Sequence, residues 1–184
     1  MNPILDPSFL LYFWIIMLGI GILSGIAILI HSIILAKKGN SIPLKYNLLT
    51  FLFILIAIAS WGFNMGWLRL FMTFLAIPII HTSVFMILNH FSLSYINQSS
   101  YLKKLVIFSN IAYLIGYLLL PDLGDIGPMY LFFGLIRNNL IATFGYEISA
   151  VGFLATVVLL ILQIIECRKI KKQHKMNNIT VPKI

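Results

Sequence analysis

Five long apolar runs, punctuated by short clusters of lysine and arginine, constrain this chain more than any other feature. The runs cover about 9–36, 47–63, 67–91, 102–120 and 146–165. Crossing a hydrocarbon core of about 30 Å takes roughly 20 apolar residues, so each run has about the length of a transmembrane helix. With the amino terminus outside, Lys37, Lys38, Lys45, Lys103, Lys104, Arg168, Lys169, Lys171, Lys172, Lys175 and Lys183 fall on the cytoplasmic side. Only Arg69 and Arg137 fall outside, where Asp6, Asp122, Asp125 and Glu147 also lie. The basic excess recurs at each inner segment, which is the positive-inside pattern. Trp14, Trp61 and Trp67 mark outer helix ends, and Tyr46, Tyr95 and Tyr101 mark inner ones, as an aromatic belt would. The expected fold is all-α: a polytopic bundle of five transmembrane helices, N-terminus outside and C-terminus cytoplasmic.

Composition says what surrounds that bundle. Of 184 residues, 60% are hydrophobic and 10% charged, whereas a soluble domain carries about a quarter charged residues. The solvent of the apolar faces is therefore lipid. The net charge of +8 sits in clusters beside apolar runs, which suits membrane orientation and contact with anionic lipid rather than nucleic acid. A lone cysteine, Cys167, excludes an internal disulfide and a multi-thiolate metal site. The opening MNPILDPSFL lacks a basic n-region, so the first run is expected to remain as a span.

A single transmembrane domain is expected over 1–175, with a short polar cytoplasmic tail over 176–184. The segment 127–139, GPMYLFFGLIRNN, is apolar for too few residues to cross. It reads as an interfacial or re-entrant piece before the last helix, and Pro128 suits a first helical position.

Three groups of residues invite chemistry. Asp122, Asp125, Arg137 and Glu147 lie in the segment joining the last two spans, and Asn64 and Arg69 lie in the outer hairpin. Together they form an outer polar cluster able to bind a cation, a polar solute or a basic loop; the plain alternative is a solvated loop with a surface ion pair. His81 lies about 21 Å along its helix from Trp67, inside the bilayer. Pro78 precedes it and removes the hydrogen bond to the Phe74 carbonyl. An ionisable side chain beside a kink is a functional candidate in a membrane, or else a hydrogen-bonded packing residue. Asn110 is about 10 Å deep from the inner end and needs a partner; a His81–Asn110 bond is expected.

His31 and His90 reach the inner interface at matching depth, which makes a bis-histidine haem arrangement conceivable but motifless. Small and polar stripes recur elsewhere: Gly21, Gly25 and Ser32; Thr50, Ala57 and Asn64; Ser149, Gly152, Thr156 and Gln163. They suit close helix packing, in one subunit or between subunits.

No catalytic set, metal site or cofactor is expected, since the acids lie outside and His81 well below them. The expected function is non-enzymatic: an accessory or assembly subunit of a membrane complex, acting through its helix faces and outer acidic loop. One alternative is a small oligomeric transporter or channel with an acidic mouth and an intramembrane histidine. An intramembrane enzyme or haem protein is the remote alternative. The expected setting is a cell membrane, a bacterial inner membrane by its Ile-, Lys- and Asn-rich usage.

Overall fold

A computed structural model describes residues 43–63, 66–121 and 129–180, together with 15, 19, 23–28, 30–35 and 37 of the first run. The chain is mostly helical. In order come α1 (Leu44–Phe63), α2 (Trp67–Phe74), α3 (Ile77–Leu93), a 3-10 turn (Ile96–Gln98), α4 (Ser100–Leu118), β1 (Tyr130–Leu131), β2 (Ile136–Arg137) and α5 (Asn139–Thr180). Residues 23–28 and 30–35 are helical as well. Two helices, α1 and α5, are long and apolar enough to cross a membrane, and the α2–α3 pair makes a third if it counts as one span. In α4, two lysines, Asn110 and three tyrosines dilute the apolar residues.

The run expected to be one helix over 67–91 is two. α2 and α3 meet at 69°, and the joint is Ala76, left-handed at φ 58° and ψ 11°. Pro78, near the start of α3, has no N–H to give the Phe74 carbonyl, and its ring would collide there if the helix continued. The chain therefore stops α2, turns at Ala76 and restarts with proline in the one turn where it is tolerated.

The last helix is longer than its apolar run. Asn138 starts it early, its side-chain oxygen accepting from the Leu140 and Ile141 amides at 2.9 and 3.2 Å. That satisfies two of the donors a helix start leaves bare. The preceding piece, expected to be interfacial or re-entrant, forms in its described part a small hairpin pairing Tyr130 with Arg137 and Leu131 with Ile136. Its turn carries Phe132, Phe133 and Gly134 at positive φ. Leu131 is buried against Gly145, where an added Cβ would meet its Cδ2 at 2.9 Å.

Helices α4 and α5 make the most extensive contact in the bundle. At their crossing, a Cβ on Gly152 would lie 2.8 Å from the Gly116 nitrogen, and Ser149 donates to the Gly116 carbonyl at 2.6 Å. Ser149 and Thr156 are fully buried with Gln163 on this face of α5, so the small-residue stripe does pack inward. Gly25 does not: among the described residues nothing approaches within 4 Å of where its Cβ would be. Ile54, Trp61, Phe85, Tyr113, Tyr117 and Leu160 form the main core. Large apolar residues such as Phe51, Ile80, Val151 and Leu154 cover the outside, the inverse of a soluble surface.

Candidate functional site

The polar residues inside the bundle form layers. At one end of the bundle Arg69, expected in an outer polar cluster, is fully buried rather than part of a solvated mouth. Its guanidinium donates to the carbonyls of Ser60, near the end of α1, and of Tyr117 and Leu120, at the end of α4. Those are among the carbonyls that two helix C-termini leave without helical partners, where the dipole favours positive charge. The planar fork reaches both ends at once, a geometry lysine lacks. Trp61 lies under the cation at 5.2 Å and donates to Thr73 at 2.8 Å. Thr73 in turn donates to the Arg69 carbonyl at 2.7 Å. Arg69 and Thr73 are four residues apart on α2, whose other face exposes Leu70, Phe71 and Phe74. That i, i+4 polar pair on an otherwise apolar helix was the signal that Arg69 points inward.

One layer further in sits His81. Its Nδ1 lies 3.1 Å from the Tyr117 hydroxyl, which also donates to the Pro78 carbonyl at 3.2 Å. The imidazole stacks on Tyr113 and Tyr117 at 5.5 and 5.7 Å and meets Phe153 edge-on at 5.5 Å. Thr82 and Tyr113 share a hydrogen bond of 2.8 Å. The His81 Nε2 is buried with no hydrogen-bond partner among the described residues. The expected bond to Asn110 is replaced: Asn110 donates back to Val106 of its own helix at 2.8 Å. It lies seven residues from Tyr117 along α4, so about 10 Å separates the two levels.

A third layer lies below. Ser109 donates to Asn89 Oδ1 at 3.1 Å or to the Val106 carbonyl at 2.9 Å, having one proton for both. Gln163 Nε2 donates to Ser109 at 2.7 Å and to the Leu105 carbonyl at 3.3 Å. Asn89, Ser109, Asn110 and Gln163 are all fully buried. Yet Asn89 Nδ2, Asn110 Oδ1 and Gln163 Oε1 have no partner among the described residues. Each such atom costs about 1–3 kcal/mol if left bare, so a native bundle keeps them for a reason. Asn89 escaped sequence reasoning; its spacing of eight from His81, on the same helical face, was the available signal.

The outer cluster is only partly assembled. Asn64, Asp122 and Asp125 lie outside the described residues. Arg137 is exposed and rests over Tyr130 at 5.1 Å, and Glu147 is exposed on α5. Toward the other end of the bundle, His31 Nδ1 meets His90 Nε2 directly at 2.9 Å, and His90 Nδ1 lies 3.4 Å from Asn47 Oδ1. A bis-histidine haem needs its macrocycle between the two rings, and a direct contact of this length leaves no place for it. Among the described residues no group of three potential metal ligands is found.

Site and fold together define a helical bundle with a layered polar interior and two to three helices long and apolar enough to cross a membrane. No family model, no curated protein and no solved structure matches the chain.

Proposed function

We propose that the chain is a five-span membrane protein, amino terminus outside and carboxyl terminus cytoplasmic, that relays protons through its bundle with His81 as the titrating group. This is the transport reading in its narrowest form, and a bacterial inner membrane is its setting. One observation carries it: His81 is held through Nδ1 while Nε2 is buried with no hydrogen-bond partner among the described residues. Tyr117 has a single hydroxyl proton. When it goes to the Pro78 carbonyl, the tyrosine oxygen accepts from Nδ1–H and Nε2 is a bare lone pair. When it turns to Nδ1, Nε2 carries the proton instead. The two hydroxyl orientations thus fit the two neutral tautomers, and passing from one to the other takes one proton bound at Nε2 and one released from Nδ1, as a relay does. A proton enters at one ring nitrogen and another leaves from the other. Arg69, fixed in the layer above, opposes a long-lived imidazolium, which suits a slow relay better than an open channel.

The test is proton flux into phosphatidylcholine vesicles holding the purified protein and a trapped pH dye, driven by an imposed potential. His81→Leu should abolish flux, and Tyr117→Phe should lower it at least about tenfold. Full flux in His81→Leu would sink the reading.

The accessory-subunit reading has its own observation. At 1.5 Å per residue α5 is about 63 Å long, twice a hydrocarbon core. Its inner stretch exposes Arg168, Lys169, Lys171 and Lys172 and is tied back by a His174–Gln98 contact of 2.7 Å. Such an extension suits a larger complex, a second copy, or anionic lipid. Native mass spectrometry from mild detergent separates these by mass.

A further inference from the structure

Helices α3 and α4 present matched ladders. His81, Phe85 and Asn89 follow each other at intervals of four along one face of α3, as Tyr117, Tyr113 and Ser109 do along α4 in the opposite direction. The rungs meet pairwise. His81 meets the Tyr117 hydroxyl at 3.1 Å. Phe85 lies flat on the Tyr113 ring, centroids 4.0 Å apart and planes 7° from parallel. Asn89 meets Ser109 at 3.1 Å. A polar rung, a rung of stacked rings whose Tyr113 hydroxyl is bonded to Thr82, and a polar rung therefore succeed one another over about 12 Å. Helix α5 closes both polar rungs, with Phe153 against His81 and Gln163 against Ser109.

We propose that Asn89, Ser109 and Gln163 form a second, inner site that holds water, and that the Phe85–Tyr113 ring pair is the dry layer separating it from His81. The inference rests on the proton-relay reading and names the inner half of that path. All three side chains are fully buried, and two still carry atoms without a partner among the described residues, Asn89 Nδ2 and Gln163 Oε1. One is a donor and the other an acceptor, and exchanging O and N within either amide still leaves polar atoms bare. The lining is amide and hydroxyl with no charge, so it does not neutralise an ion. The ligand that fits is small, neutral, and both donates and accepts: water. Phe85 and Tyr113 meet face to face with no polar group between their rings, which makes them a constriction that water crosses only when the rings part.

The experiment uses the full chain in phosphatidylcholine vesicles with the trapped pH dye. Phe85→Ala removes the dry layer and should raise proton flux at least about tenfold over wild type, while Phe85→Leu keeps it apolar and should stay within about threefold. Gln163→Leu should abolish flux both in the native background and in Phe85→Ala. A folded Phe85→Ala protein with wild-type flux would overturn the gate. If Phe85→Ala does not fold, Gln163→Leu alone decides, and unchanged flux there overturns the inner site. Flux that needs His81 but ignores Phe85 and Gln163 leaves the relay standing and removes this inference. No flux in wild type or in folded Phe85→Ala removes both.

Discussion

The Arg69 layer and the Ser109 layer, at opposite ends of the polar interior, use the same currency to different ends. Around Arg69 the polar groups serve structure: the guanidinium caps two helix ends, Trp61 bonds Thr73, and Thr73 bonds back to the backbone. Around Ser109 the buried amides of Asn89 and Gln163 meet through one hydroxyl, and together with Asn110, bonded to Val106, they leave three atoms without a partner among the described residues. A structural network in hydrocarbon should be complete, because each gap is costly. The incomplete layer is therefore the better place to look for a ligand.

Replacing Arg69 tests the structural half and should give the largest effect. Arg69→Leu strips the Ser60 and Leu120 carbonyls of the guanidinium and leaves the Tyr117 carbonyl only the Ser60 hydroxyl, and hydrogen bonds to a charged group are each worth about 1.5–3 kcal/mol. We expect a loss of about 3 kcal/mol or more in thermal unfolding from detergent, with Arg69→Lys recovering only part of it. Gln163→Leu is the contrast: it removes one bare oxygen along with two hydrogen bonds, so its stability should change by less than about 1 kcal/mol. Equal losses in the two variants would erase the distinction between the layers.

Gly152→Ala tests what holds both layers in register. Its Cβ would lie 2.8 Å from the Gly116 nitrogen and 3.0 Å from the Ala112 carbonyl. Both are backbone atoms that cannot turn aside, so α4 and α5 must separate. Overpacking of this kind costs about 1–3 kcal/mol, and the same measurement should find a loss in that range. An unchanged midpoint would mean that the helices approach less closely than this.

Much of the interior was legible in the chain. Ser149, Gly152, Thr156 and Gln163 repeat at helical spacing and do face inward, because small and polar side chains let a neighbouring helix approach closely and cover them. Pro78 announced a kink in one helix, whereas the helix breaks outright, at Ala76, two residues before the proline itself. Arg69 was misplaced because depth counting knows distance along a helix but not rotation around it. The partners of His81 and Asn110 were misjudged for the same reason: helix rise placed both in the inner half but could not say that Tyr117 would turn its hydroxyl to His81. The hairpin at 130–137 was invisible, since its apolar turn FFGL carries no hairpin signature and adopts positive φ at two phenylalanines.

The smallest effect belongs to the hinge that aims His81. Ala76 is left-handed, a conformation that costs an L-residue with a Cβ roughly 1–2 kcal/mol. Glycine adopts it without that cost but loses more chain entropy on folding. The two terms oppose, and the larger steric one leaves Ala76→Gly more stable by about 0.5–1 kcal/mol. The angle between α2 and α3 is set by Pro78 and by the Tyr117–Pro78 bond rather than by the Ala76 methyl. Proton flux should therefore stay at the wild-type level while the unfolding midpoint rises. A fall in stability would mean that Ala76 is not left-handed. A fall in flux with stability intact would mean that the methyl, and not the proline, holds His81 against Tyr117, and the hinge would then belong to the site rather than to the scaffold.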